Sequence, residues 1–340
     1  MRHRSFKYFP ARIKQDSRLI FLLLFTLGIM MVTGCISSTT ASSPALGPTR
    51  LITATPIIPT ITPTPNNSYD FTELIRTLED TMPGPFSAGF IVPQESDRSA
   101  FHIITLSMID DKSEIASKLA SKYDYKISSL FDQGDSLAES YVLMEQSPIK
   151  RGWGLYIFRK SAKRDIVIEA PHPVADAYTP TVGLDLYRAL DAKAFLVAGA
   201  HRDANADGSA DPTHTVNTIF QTIHTSLFKS TGQPDVKTVF IQIHGYSTEG
   251  HENYPQVVIG YNWKNDPKKD LLLGKIVNAL QQAGLSAGVC EGNKFQGLCG
   301  TLNVQRQEMD GGIFIHLEIS KAIREVDREL VTALQQALNP

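Results

Sequence analysis

Cysteine is scarce in this chain. There are three in 340 residues, and no CxxC pair or nearby histidine accompanies them, which argues against a thiolate-bound structural metal. No basic patch is visible, so nucleic acid is not an expected partner. No internal repeat occurs, which sets aside solenoids and arrays. Ser247 in HGYST lacks the GxSxG elbow of a serine hydrolase. No apolar run reaches the length of a membrane span, because the longest, 19–32, is about 14 residues where about 20 are needed. The net charge of −2 conceals an asymmetry. The first 35 residues carry six basic side chains and one acidic, so the remainder holds 27 basic against 34 acidic, about −7. An acidic body does not trap polyanions in general, although one local Arg or Lys pocket still suits a carboxylate.

The front end is expected to be an export signal. A basic stretch to Arg18 precedes the apolar run, and Val32-Thr33-Gly34-Cys35 follows it. This tetrad resembles a bacterial lipobox, with cleavage before Cys35 and lipid on its sulfur. The alternative is an uncleaved anchor helix with an incidental Cys. The expected location is the cell membrane, lipid-anchored, on the extracytoplasmic side. Residues 1–34 are then a lipoprotein signal peptide and 35–68 a Ser/Thr/Pro-rich tether that buries too little apolar surface to fold. As a coil the tether spans roughly 30 Å, and as an extended polyproline form about 100 Å. In an oxidising compartment Cys290 and Cys299, in CEGNKFQGLC, are expected to form a disulfide. Closing that loop contributes about 2.7 kcal/mol in the chain-entropy picture.

The expected catalytic body is 69–340, with 69–160 either a distinct N-terminal part or the start of the same sheet. Patterning predicts helices over 71–80, 113–125, 181–191, 271–283 and 321–338, and strands over 140–144, 154–158, 166–170, 194–199, 236–243, 257–261 and 312–319. Residues 101–108 alternate and are expected to be β. Asp211-Pro212 is expected to start a helix running to about 229, with Asp as cap and Pro in the first turn. Strands alternating with helices imply an α/β fold: a mixed, mostly parallel sheet with helices on both faces.

Histidines stand at the downstream ends of apolar runs. DIVIEAPHPVAD delivers Glu169, His172 and Asp176, FLVAGAHR delivers His201 and Arg202, and TVFIQIHG delivers His244. Ligands bind at the carboxyl ends of strands in such sheets, and one His or carboxylate per strand end is how a metal site is assembled from distant sequence. His172, Asp176 and His244 make a three-ligand set with an open position, suited to a catalytic zinc. That set requires the two imidazoles to lie within about 8 Å of each other, given zinc–nitrogen bond lengths. Glu169, inside an apolar strand, is an alternative carboxylate ligand, or a partner of His172 or Arg202 behind the metal. Alternation in IFIHLEIS puts Ile313, Ile315, Leu317 and Ile319 on one face and Phe314, His316 and Glu318 on the other. Glu318 suits a general base, and His316 a supporting residue beside it. Arg202 suits a substrate carboxylate or an oxyanion. His201, Asp211 and His214 are further candidates for substrate binding.

The ordered set of a His–carboxylate loop, a second His about 70 residues on and a Glu about 70 beyond resembles the zinc carboxypeptidase-like hydrolases. Poly-γ-glutamate hydrolases and N-formylglutamate amidohydrolase-like proteins are the branches it looks most like, over about 165–340. The resemblance implies Zn²⁺ on His172, Asp176 and His244, Glu318 as catalytic carboxylate, Arg202 as substrate clamp, and a peptide or γ-glutamyl-type substrate. The best-known members place Glu three residues after the His, whereas Asp stands four after it here. The expected activity is hydrolysis of an amide next to a carboxylate, such as a cell-wall peptide or poly-γ-glutamate. The alternative is a non-catalytic surface binding protein that keeps the fold.

Overall fold

The computed structural model describes residues 68–133, 135–230, 238–292, 294–309 and 311–339. The expected signal peptide, Cys35 and all of the tether but Ser68 lie outside them. Among the described residues no helix is long and apolar enough to cross a membrane.

The elements run β1 (Ser68–Tyr69), α1 (Phe71–Thr81), α2 (Glu95–Ile109), α3 (Ser113–Ala120), β2 (Tyr125–Asp132), β3 (Asp135–Glu145), β4 (Leu155–Arg159), β5 (Arg164–Ala170), α4 (Thr179–Ala189) and β6 (Ala192–Val197). They continue α5 (Ile219–Ser230), β7 (Val239–Tyr246), β8 (Val257–Tyr261), α6 (Pro267–Gln282), β9 (Ala287–Val289), α7 (Val304–Glu308), β10 (Ile313–Ser320), α8 (Lys321–Glu325) and α9 (Arg328–Leu338). The ten strands of the described residues form one sheet in the order β1-β2-β3-β4-β6-β5-β7-β10-β8-β9. Its centre, β6-β5-β7-β10, is parallel throughout, while β2 to β4 and the β8–β10 pairing are antiparallel. The fold is therefore α/β with a mixed sheet, as the alternation of strand and helix patterns implied.

Central strands covered on both faces have no polar side to present, so they are nearly continuously apolar. Ile166 and Ile168 of β5, Ile241 and Ile243 of β7, and Ile313, Ile315, Leu317 and Ile319 of β10 join one core with apolar residues of α1, α4, α6 and α9. Val167, Phe240 and Phe314 point to the opposite core, with α2, α3 and α5. Burial of each such side chain stabilises by about 1.5–3 kcal/mol, so the two cores hold the sheet rigidly enough to aim residues beyond its strand ends.

Four expectations of local structure are corrected. Residues 101–108 are helical, inside α2: Phe101, Ile104, Thr105 and Met108 are buried while Ile103 is 49% exposed, a 3.6-residue period hidden in an apolar-rich stretch. The helix from 113 ends at Ala120, and Tyr125 already begins β2. Asp211 does not start α5. Its carboxylate accepts from the Thr213 amide in a local turn, and Thr218 caps the helix instead, accepting from the Gln221 amide at 3.0 Å. The last helix breaks between Glu325 and Arg328, leaving Val326 66% exposed. Cys290 and Cys299 form a disulfide with Cα atoms 5.8 Å apart.

Candidate metal centre

One face of the central strands changes character toward their carboxyl ends. Its lower row is Val167, Phe240 and Phe314, paired across β5, β7 and β10. The next row is Glu169, Gln242 and His316, and the next holds His244 beside Glu318. Strand pairing thus turns three period-two patterns into a polar ladder rising from an apolar floor. The loop after β5 brings His172 and Asp176 over the top of it.

His172 Nδ1 and His244 Nδ1 each lie 3.2 Å from Asp176 Oδ2, and the ligand atoms of this trio all fall within 4.8 Å of one another. The two rings are 4.8 Å apart, centre to centre. Both Nε2 atoms are already engaged. His172 Nε2 donates to Asp211 Oδ1 at 2.9 Å, and His244 Nε2 donates to Gln242 Oε1 at 2.8 Å. With the hydrogens on Nε2, facing these acceptors, the Nδ1 lone pairs point at Asp176. Two imidazole Nδ1 atoms and a carboxylate oxygen then face one point, a donor set that a divalent cation would satisfy. A proton on His172 satisfies part of it: burial disfavours that charge, but the bonds to Asp176 and Asp211 win, and the His172 pKa is raised. His244 is pushed down to about 4, by burial first and by repulsion from His316. Burial works against ionisation of Asp176 and Asp211 too, yet their histidine partners hold both well below the usual carboxylate range. Two imidazoles and one carboxylate at this spacing fit zinc, whose ligands of this kind sit at about 2.0–2.2 Å.

The supporting shell differs from the expectation. Glu169 holds neither His172 nor Arg202 and stands apart from the ligand trio. Its carboxylate accepts from His224 Nδ1 at 2.7 Å and from Gln242 Nε2 at 2.9 Å, so it reaches His244 only through the Gln242 amide. Asp211, expected among substrate-binding groups, is buried and braces His172. It also accepts from the Thr213 hydroxyl at 2.7 Å and pairs with Arg202 Nη2 at 2.7 Å. Gln242, Asn303 and Gln305 escaped sequence reading. Asn303 donates to Gln242 Oε1, and Gln305 donates to the Pro212 carbonyl at 2.7 Å, so α7 joins the Asp211 turn to β7. Gln242 had a readable signal: it lies two residues before His244, on the same face.

Glu318 accepts from His316 Nε2 at 3.2 Å, and the His316 ring packs on His244 at 4.5 Å between centres. Glu318 is 8% exposed. The Arg202 side chain is 34% exposed, with Nη1 3.4 Å from His172 Nδ1. His201 turns into its own loop, where Nδ1 accepts from the Asp203 amide. His214 is half exposed and touches Asp211 Oδ2 at 3.0 Å, from a turn rather than the first turn of a helix. The structure thus gathers His172, Asp176, His244, His316 and Glu318, places Arg202 and Asp211 beside them, and leaves His201 turned away.

No protein-family model and no curated protein matches the sequence. Among solved structures the chain is similar to a bacteriophage poly-gamma-glutamate hydrolase, at 16% identity and TM-score 0.35 over 51% of this chain and 82% of that one. It is also similar to N-formylglutamate amidohydrolase from Ralstonia eutropha, at 13% and 0.34 over 52% and 94%. A metallo-carboxypeptidase from Burkholderia cenocepacia aligns at 12% and 0.34 over 73% and 69%. The first two are named for the two branches that the sequence resembles. At such identities and scores the likeness carries no argument, and function has to be argued from the site.

Proposed function

We propose that this chain is a zinc-dependent amidohydrolase acting on an amide next to a carboxylate, such as a cell-wall peptide or poly-γ-glutamate, and that it works from a lipid anchor on the outer side of the cell membrane. The observation that carries the reading is the convergence of His172 Nδ1, His244 Nδ1 and Asp176 Oδ2, with both Nε2 atoms already held from behind. Those three side chains hold the ion, which when bound supplies Lewis acidity to a carbonyl and acidifies water. Glu318, on the strand beside His244, takes the proton of the attacking water and returns it to the leaving amine. His316 donates to Glu318 and fixes its direction. Arg202 pairs with Asp211 through Nη2 and lies with Nη1 3.4 Å from His172 Nδ1, and it offers the N–H groups not so engaged to a substrate carboxylate, for which a planar fork is well suited.

The test is Glu318→Gln in protein that carries about one zinc per chain. Loss of a positioned proton-transfer group costs typically 10²–10⁴-fold in rate. Release of amine from γ-glutamyl and cell-wall peptides should fall by that much with zinc content unchanged. Equal rates in the two proteins reject the assignment of Glu318. Zinc bound but no hydrolysis by wild type favours the non-catalytic binding protein.

A further inference from the structure

Arg324 belongs to α8, off the site as described, and is 6% exposed. Its Nε donates to the Ala177 carbonyl at 2.8 Å, and its Nη1 donates to the Ile319 carbonyl. The guanidinium lies flat against Gly245: a Cβ placed on that glycine would fall 2.0 Å from Nη1 and 2.1 Å from Cζ. Each of these three contacts is with the residue immediately after a member of the site. Ala177 follows Asp176, Gly245 follows His244, and Ile319 follows Glu318. One side chain therefore touches the backbone of the β5 loop, of β7 and of β10 at the three points where each has just delivered its functional group. The carboxylates of Asp176 and Glu318 are also near enough to act on its charge.

A planar, forked cation is the side chain that can make such contacts at once, because its donors point in fixed and different directions. An ammonium has the charge but bonds as a point and cannot bridge carbonyls of the β5 loop and β10 while lying flat on β7. Gly245 is then required for space rather than for backbone freedom. Any side chain there would displace the guanidinium.

We propose that Arg324 is a positioning residue that sets the spacing of Asp176, His244 and Glu318, and through that spacing the affinity of the site for a divalent ion. The proposal rests on reading the trio as a metal site. Its test measures the folded protein with the metal alone. Zn²⁺ affinity is determined by competition with a chromophoric chelator for wild type, Arg324→Lys, Arg324→Met and Gly245→Ala, and the visible spectrum of each Co²⁺-loaded protein is recorded. All three variants are expected to bind zinc at least about tenfold more weakly, the range seen when groups supporting metal ligands are lost, with an altered cobalt spectrum. Arg324→Lys separates geometry from charge: wild-type affinity and spectrum in that variant overturn the proposal. If Arg324→Met fails to fold, Gly245→Ala, which keeps the arginine but shifts it, decides in its place. Lower thermal stability with unchanged affinity of the folded protein marks a merely structural role and also overturns it. A wild-type protein that takes no zinc sinks the metal reading itself, an outcome distinct from variants that match a zinc-binding wild type.

Discussion

Replacing Asp211 by Asn keeps an oxygen within reach of His172 Nε2 but removes the charge that anchors His172, Arg202 and His214 together. A carboxylate behind a ligating imidazole raises its basicity and fixes its ring, and loss of such a partner weakens metal binding about 10–100-fold. Asp211→Asn should therefore lower zinc affinity in that range by chelator competition, while His214→Ala, at an exposed position, should change it less than twofold. Equal affinities in wild type and Asp211→Asn would contradict this account. The five residues gathered at the site were legible because each follows an apolar run or alternates within one. The role of Asp211 was not legible. It lies 39 residues from His172, and only the path of the intervening loop brings them together. Glu169 misled for a related reason: it is close to His172 in sequence, but strand pleating points it at β7 and α5.

At the scale of elements, α1 illustrates an electrostatic conflict. Glu79 and Asp80 occupy its last turn, with no basic residue there, where the negative end of the helix disfavours further negative charge. Burial of Glu79, and then the charge of Asp80, raise its pKa from 4.5 to about 7. Below about 4.5 the carboxyl is protonated in folded and unfolded chains alike, and nothing is lost. Between 4.5 and 7 the unfolded chain releases a proton that the folded one keeps, so stability falls as pH rises through that window and the full loss persists above it. Glu79→Gln cannot ionise and should raise the melting temperature at pH 8 but not at pH 4. An equal shift at both pH values would show that the effect is not ionic. Elements themselves were legible where the apolar period was unambiguous, as in β5, β7 and β10. The strand expected at 101–108 failed because five apolar residues in eight fit either period, and packing of α2 against α5 decides. The helix expected from Asp211 failed because Asp before Pro equally suits a turn.

At the scale of the whole molecule, the site sits where three parallel strands of one sheet end, and the chain leading to that sheet begins with a basic and then an apolar segment. The proposed lipid anchor and an uncleaved membrane helix make different demands on that segment. A helix rising 1.5 Å per residue would carry the run 19–32, about 14 residues long, about 21 Å, short of the roughly 30 Å of hydrocarbon. Acyl chains on Cys35 need no such length, because each buried CH₂ contributes about 0.8 kcal/mol and two or three chains together anchor stably. The tether would then hold the folded body within roughly 30–100 Å of the membrane and keep it from diffusing away. Cys35→Ser removes the sulfur that would accept lipid at the proposed lipobox and leaves the apolar run intact. The variant should lose acyl labelling and the mobility shift of signal removal, and any molecules that are cut elsewhere should appear in the soluble fraction. If Cys35→Ser instead matches wild type in size, labelling and membrane retention, the cysteine is incidental, the apolar segment is the anchor, and the reach available to the catalytic body must be counted from residue 32 rather than from a lipid on residue 35.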